Sequence, residues 1–161
     1  MIGDGTVRGL TVATLVGSGV VGGVFYAFST FVMPALRDLP DAQGIRAMQQ
    51  INVAAPGPGL MIALVGTALL ALALLVVTLV GAAAGGGAWR VGGALAALGS
   101  FVVTPAFHVP RNDRLAALDP HAADAAARWA TYVHEWTIGN HVRGALAIAA
   151  CAALALSLAA D

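Results

Sequence analysis

Long apolar runs alternate with shorter polar segments along the chain, and four of the runs are long enough to cross a bilayer. They cover residues 10–32, 60–80, 91–107 and 139–159. At 1.5 Å per residue, roughly 20 residues of apolar helix cross about 30 Å of hydrocarbon. The pattern therefore predicts an all-α fold in which residues 1–161 form one domain, an integral membrane four-helix bundle.

Two polar connections, residues 33–59 and 108–138, are expected on the same side of the membrane, because four spans place both chain ends on the other side. Each connection contains a run typical of a short amphipathic helix, residues 42–51 and 122–136. Each run follows a turn rich in leucine, aspartate and proline. This likeness predicts a degenerate repeat of a two-span unit, residues 1–80 and 88–161.

The distribution of arginine favours the cytoplasm for the two connections. The terminal side has Arg8 and Arg90, whereas the connections have five arginines, and arginine-rich loops stay on the cytoplasmic side. The five are Arg37, Arg46, Arg111, Arg114 and Arg128. We expect the first span to remain in the protein as a membrane-spanning helix rather than to be a cleaved signal peptide, because its apolar run is longer than the core of a signal peptide. The protein is then a multi-pass membrane protein.

Composition agrees with a membrane environment and removes several functional classes. Apolar residues make up 59% of the chain, charged residues 10%, and the mean hydropathy is +0.84, outside the range of soluble globular proteins. This apolar composition makes the lipid bilayer an expected partner. The formal net charge is zero, so nucleic acid is not an expected partner. The single cysteine, Cys151, lies deep in the last span and excludes a dithiol oxidoreductase.

The first span carries Gly19 and Gly23, the small-x3-small spacing that lets helices approach closely in lipid. The same face continues through Tyr26, Thr30 and Met33 at helical steps. We expect this face to point into the bundle. The glycine pair could also bring two copies of the chain together as a homo-oligomer.

Polar side chains are concentrated where the third span ends. Ser100, Thr104 and His108 recur every four residues and form one stripe, which runs on into Arg111 and Asn112. Pro105 is expected to kink the helix at this point. Hydrogen bonding back to the helix or across to a neighbouring helix is the simpler interpretation for Ser100 and Thr104. His108 is equally well explained as a histidine at the level of the lipid headgroups or as a functional residue.

A second stripe of side chains at helical spacing lies where the fourth span begins. It consists of Trp129, Tyr132, Trp136, Asn140 and Arg143. Gly139 is a point where the helix could be interrupted. Trp129 and Tyr132 are typical of an aromatic belt at the membrane surface. Arg143 lies about one turn inside an apolar run, where a guanidinium is costly unless it finds acceptors. His134 and His141 share a different face.

If the second connection folds back over the bundle, the ends of the third and fourth spans converge in a pocket at the membrane surface. The predicted pocket has Tyr26 as a wall and contains His108, Asn112, Trp136, Asn140, His141 and Arg143. Its aromatic sides, donors and fixed cation suit a flat, hydrophobic, oxygen-bearing ligand. No cofactor is predicted, and a metal ion held by His108, His134 and His141 is left open.

Four separated motifs carry a family resemblance. They are Gly22-Gly-Val-Phe-Tyr26-Ala-Phe, Met48-Gln-x-Ile-Asn52, His108-Val-Pro-Arg111-Asn112 and Trp136-x3-Asn140-His141-x-Arg143. Together they resemble the four-span anthrone-oxygenase-like membrane family over nearly the whole chain. The resemblance implies oxidation of an anthrone, a hydrophobic aromatic small molecule, to a quinone with molecular oxygen.

The resemblance also suggests roles for individual residues. His108 or His141 would remove a proton from the substrate, and Arg143 with Asn140 or Asn112 would stabilise the resulting oxyanion. Trp136 would stack on the rings. The motifs add Asn52, Arg111 and Tyr26 to the expected substrate-binding residues.

A non-catalytic membrane module remains the alternative: a binding protein or partner subunit for a quinone, lipid or other hydrophobic ligand. Transport of polar solutes is not expected, because the middles of the spans are apolar and Arg143 lies near one end.

Overall fold

The computed structural model describes residues 3–81 and 86–160, and it contains five helices in that part of the chain. They are α1 (Asp4–Arg37), α2 (Asp41–Ala54), α3 (Pro58–Val80), α4 (Gly87–Ala116) and α5 (Ala125–Ala160). The helices α1, α3, α4 and α5 are long and apolar enough to cross a membrane. The predicted all-α, multi-pass membrane fold is confirmed, and each predicted span lies inside one of these helices.

Small side chains allow the four spanning helices to pack closely. The helix α5 packs along α4 and α1, and α3 covers the opposite edges of α1 and α4. Ala71, Ala97 and Ala150 form a buried cluster between them, and a Cβ added at Gly93 would come within 2.7 Å of Leu154. Lipid tails are as apolar as leucine, so close backbone approach is what holds such helices together.

The predicted inward face of α1 is wrong. Gly19, Gly23, Tyr26 and Thr30 are exposed, with Tyr26 at 61%, and only the last member of the predicted face, Met33, is buried. A neighbouring row of mostly small residues faces the bundle instead. That row consists of Thr11, Thr14, Ser18, Val21, Gly22 and Phe25. The hydroxyl groups of Thr11 and Thr14 donate to carbonyls of their own helix, which lets these polar side chains lie inside the bundle at little cost.

Two spanning helices contain a π-helical turn near the same end of the bundle, Phe28–Val32 in α1 and Thr104–His108 in α4. In each turn an amide donates to the carbonyl five residues earlier, from Met33 to Phe28 and from Val109 to Thr104. The next residue in both helices is a proline, which has no amide hydrogen and would collide with the carbonyl four residues before it. The wider π turn avoids this collision. In α4 the π turn includes Pro105, where the sequence predicts a kink.

The π turn in α1 explains why Met33, unlike the residues before it on the predicted face, is buried. Tyr26 and Met33 are seven residues apart, so a regular α-helix would place them on one side. Met33 is only 1% exposed, whereas Tyr26 faces outward. The extra residue taken up by the π turn places Met33 below Phe25 instead.

A second hydrophobic core lies beyond one end of the spans, where α2 packs on the first turns of α5. Its buried members are Met33, Leu36, Ile45, Met48, Leu115, Leu118, Ala125, Trp129, Tyr132 and Trp136. Trp129 and Tyr132 are therefore core residues, 2% and 7% exposed, and the aromatic-belt interpretation is wrong for both. Their rings stack with centroids 5.6 Å apart.

The two connections differ in how they build their helices. The first contains α2 as a separate helix, whereas the helix predicted in the second is the beginning of α5 and continues through Gly139 without a break. The 36 residues of α5 extend about 54 Å, well beyond the roughly 30 Å of hydrocarbon. The end of α5 that carries Trp129 therefore projects out of the membrane.

Candidate functional site

Asn140 is the centre of a buried polar network between α5 and α1. It is fully buried, and its Nδ2 donates to the carbonyl oxygen of Phe25 at 2.6 Å and to Oγ of Ser29 at 2.7 Å. Its Oδ1 accepts a hydrogen bond from Nε of Arg143 at 2.9 Å. Every polar atom of the Asn140 side chain is thus engaged, so its main effect is to fix the position of Arg143.

Arg143 is a buried cation whose hydrogen-bonding capacity is only partly used. Besides the bond to Asn140, its Nη1 donates to Oγ1 of Thr104 at 3.1 Å. The guanidinium carbon lies 3.9 Å from the centroid of the Phe25 ring and 5.2 Å from that of Trp136. Among the described residues no carboxylate lies within ion-pair distance of it. A guanidinium has five N–H groups, so donors remain for a ligand oxygen.

His108 also contacts Trp136 and is 1% exposed. Its Nδ1 is 3.3 Å from the carbonyl oxygen of Val103, and its Nε2 is 3.3 Å from that of Trp136. The imidazole meets the indole edge-on at a centroid distance of 5.0 Å. Because a neutral imidazole has one N–H group, one of its two nitrogens directs a lone pair at a carbonyl oxygen.

A chain of side-chain hydrogen bonds extends from Trp136 to the extramembrane helix α2. Trp136 Nε1 and the Tyr132 hydroxyl both donate to Oδ1 of Asn112, at 3.1 and 2.9 Å. Asn52 Nδ2 donates to the Tyr132 hydroxyl at 3.4 Å. This chain holds in place the indole ring, which contacts both His108 and Arg143.

The structure brings together most, but not all, of the residues predicted for the site. His108, Asn112, Trp136, Asn140 and Arg143 converge, and Asn52 joins them through Tyr132. His141 is exposed on the opposite side of α5 and Tyr26 faces away from the bundle, so the structure does not place either of them in the site.

Arg111 is also placed differently from the prediction. Its Nε donates to Glu135 at 2.8 Å and its Nη1 to the carbonyl oxygen of Phe107 at 3.0 Å. It therefore lies beside the site, paired with a carboxylate, rather than inside it.

The sequence interpretation missed Phe25 and Ser29, which form the α1 side of the site. The signal was present, since Thr14, Ser18 and Gly22 repeat every four residues and lead to Phe25 and Ser29. The Gly19 and Gly23 pair, one position further along, has the same spacing, so spacing alone does not distinguish the two rows.

The histidines considered as metal ligands do not come together. His108 is buried, whereas His134 and His141 face outward. Within residues 3–81 and 86–160, no three histidine, cysteine, aspartate or glutamate side chains form a group that could hold a metal ion.

Four apolar spans and a buried arginine–asparagine pair between α1, α4 and α5 define a multi-pass membrane protein with a polar site near one end of its bundle. The family model described as anthrone oxygenase matches residues 57–153, more than half of the chain, and the chain belongs to this family. Comparison with curated proteins and with solved structures found no match. The matched range includes His108, Trp136, Asn140 and Arg143, whereas Phe25 and Ser29 lie before it.

Proposed function

We propose that the protein oxidises an anthrone, or a similar flat hydrophobic phenolic compound, to a quinone with molecular oxygen. The observation that supports this most directly is Arg143, a buried cation without a carboxylate partner among the described residues and within 5.2 Å of the centroids of two aromatic rings, Phe25 and Trp136. Such a group suits a planar substrate that becomes an oxyanion during the reaction. Family membership supports the same reaction type.

The proposed reaction balances with oxygen as its only co-substrate. A base removes a proton from the central methylene carbon, and the electron pair delocalises onto the ring carbonyl oxygen. Molecular oxygen accepts electrons from this anion and bonds to the carbon, and a proton completes a hydroperoxide. Loss of water from the C–H and O–OH groups leaves a second carbonyl. One oxygen atom is kept in the quinone, the other leaves as water, and no cofactor is needed.

In this proposal the remaining N–H groups of Arg143 bind the substrate oxyanion. Asn140 is a positioning residue, because its side-chain atoms are already bonded to Phe25, Ser29 and Arg143. Trp136 and Phe25 would flank the substrate rings, and a hydrophobic substrate would reach them from the bilayer.

His108 is the proposed base. Its two contacts to carbonyl oxygens, at 3.3 Å each, are long for hydrogen bonds. A small rotation of the ring away from Val103 or Trp136 would expose a nitrogen lone pair to a substrate between His108 and Arg143.

Substitution of Arg143 tests the assignment. Arg143→Gln keeps hydrogen-bond donors but removes the charge, and we expect oxygen-dependent quinone formation from emodin anthrone to fall by about 10²–10³. Arg37→Gln is the matched control, because Arg37 is exposed and pairs with its neighbour Asp38 at 3.2 Å. Rates are measured as oxygen uptake and quinone absorbance in nanodiscs, with folding checked by circular dichroism. Equal rates in the two folded variants would refute the role of Arg143.

Binding without chemistry is the second candidate function, and the geometry of His108 favours it, since both ring nitrogens already face carbonyl oxygens. Incubation with an anthrone with and without oxygen distinguishes the two. Quinone formation above the rate in empty nanodiscs supports the enzyme. Saturable binding without acceleration supports the binding module.

A further inference from the structure

A cavity of about 280 Å³ lies outside the polar site, between the end of α4 and the beginning of α5. Its lining includes three arginines, Arg111, Arg114 and Arg128, together with Glu135, Leu115 and Tyr132. At 1.5 Å per residue, Arg111 lies about 36 Å along α4 from Gly87, and Arg128 about 48 Å along α5 from Ala160. Both distances exceed the roughly 30 Å of hydrocarbon, so the cavity is at the membrane surface.

The charges around this cavity are not balanced. Three guanidinium groups and one carboxylate leave a formal charge of +2. Glu135 forms an ion pair with Arg111 at 2.8 Å. Among the described residues, Arg128 has only a long ion-pair contact, 3.8 Å to Asp124. Arg114 makes no ion pair or side-chain hydrogen bond to any residue that the structure describes. The cavity therefore has positive charge to offer an anion.

The inner wall of the same cavity is apolar. Leu115, Leu118 and Tyr132 contribute to it and are 3%, 4% and 7% exposed. They belong to the extramembrane core and are held by its packing. A ligand with an apolar body and an anionic oxygen group would contact both the apolar wall and the arginines. A simple inorganic anion would contact only the arginines.

We propose that this cavity is a binding site for an anionic amphiphile, a molecule with a carboxylate or phosphate group on an apolar body. Arg114 and Arg128 bind the anionic group, and Leu115, Leu118 and Tyr132 contact the body. Tyr132 also donates to Asn112, the acceptor of the Trp136 indole, so an occupied cavity directly contacts the chain of hydrogen bonds that positions Trp136. The site does not depend on the proposed oxidation.

Calorimetric titration of the full-length protein in nanodiscs of neutral lipid tests this site. The probes are naphthalene-2-carboxylate and its uncharged analogue naphthalene-2-methanol, each corrected for partition into empty nanodiscs. Arg114→Gln is compared with Arg37→Gln, which removes an exposed arginine outside the cavity. We expect the carboxylate to bind about tenfold more weakly to Arg114→Gln than to Arg37→Gln, and the alcohol to bind both variants equally weakly.

The proposal is overturned if the alcohol binds as tightly as the carboxylate, if the two variants bind the carboxylate equally, or if neither probe binds. Repeating the titration in nanodiscs with phosphatidylglycerol identifies the source of the anion. If a lipid phosphate occupies the cavity, the two variants no longer differ in their affinity for the carboxylate in the phosphatidylglycerol nanodiscs. If a water-soluble ligand is preferred, the difference persists. Either result supports the anion site.

Discussion

Arg111 and Arg143 are both near the site, but their surroundings give them different roles. Arg111 is partly exposed, bonds to Glu135 at 2.8 Å and lies 3.4 Å above the ring of Phe107. Arg143 is 7% exposed and, in the part of the chain that the structure describes, has only the neutral oxygens of Asn140 and Thr104 as side-chain acceptors. A buried cation is costly without a negative partner, and an oxyanion on a bound ligand would supply that partner.

Gly139 is required by the close approach of α4 to α5. A Cβ at this position would overlap the ring of Phe107 and lie 3.1 Å from Cε1 of His108. We expect Gly139→Ala to lower the free energy of unfolding by about 1–3 kcal/mol, because the aromatic side chains must move in a packed interior. Thermal unfolding in detergent measures the change.

Gly23→Ala is the matched control for that substitution, since a Cβ on Gly23 meets nothing within 4 Å. Alanine is intrinsically better than glycine in a helix, so this variant should be as stable as the parent or slightly more stable. Equal melting temperatures for the Gly139 and Gly23 variants would contradict the close approach.

Helical spacing was enough to place Trp136, Asn140 and Arg143 on one face, because α5 is regular throughout that stretch. Spacing alone could not place Tyr26, because the rows containing Gly22 and Gly23 have the same spacing, and it could not place Met33, because the π turn changes which residues share a side. Nor could it show that Asn140 would bond to a backbone carbonyl of α1, since that contact joins residues 115 positions apart.

At the scale of elements, the continuity of α5 has a direct consequence for distances along it. Spin labels on cysteines at Ala130 and Ile148, both exposed, should be about 27 Å apart with a narrow distribution. The pair at Ile62 and Val80 in α3 has the same separation in sequence and is the control. Both pairs are built on Cys151→Ala and measured by electron spin resonance. A shorter or broader distance for the α5 pair alone would reveal a bend at Gly139.

The two halves of the chain share one structural element besides their similar polar connections. In both α1 and α4 a π turn is followed by a proline two residues after its end, Pro34 and Pro110. The predicted repeat of residues 1–80 and 88–161 remains a prediction, and this recurrence is consistent with it. The halves differ in their extramembrane helices, because α2 is separate whereas its counterpart is fused to α5.

At the scale of the whole molecule, the apolar runs determined the number of spans, and the structure agrees. The extramembrane core was not predicted, because Trp129 and Tyr132 have the composition of a membrane-surface belt. Only the position of α2, set by packing of Ile45 and Met48 against α5, makes them interior residues. Such contacts between distant segments cannot be read from local patterns.

The placement of both connections on one side can be tested by labelling single cysteines in intact vesicles, again on Cys151→Ala. Gln50, Ala123 and Gly5 are exposed positions for the labels. An impermeant maleimide should reach cysteines at Gln50 and Ala123 from the same side, which the arginine distribution predicts to be the cytoplasm, and a cysteine at Gly5 from the other. Labelling of Gln50 and Ala123 from different sides would contradict the four-span arrangement.

The two π turns determine which changes of chain length this bundle can tolerate. Phe25 and Met33 are eight residues apart, whereas two turns of α-helix need about 7.2, and the π turn between them takes up the excess. Deleting one residue from Phe28–Val32 would leave the segments on either side facing as before, although it would bring Pro34 against the carbonyl oxygen that the wider turn avoids. The same deletion in regular α-helix would instead rotate the segments on its two sides relative to each other by about 100°. Each turn is thus the place where its span can lose a residue with the smallest change in which side chains face the bundle.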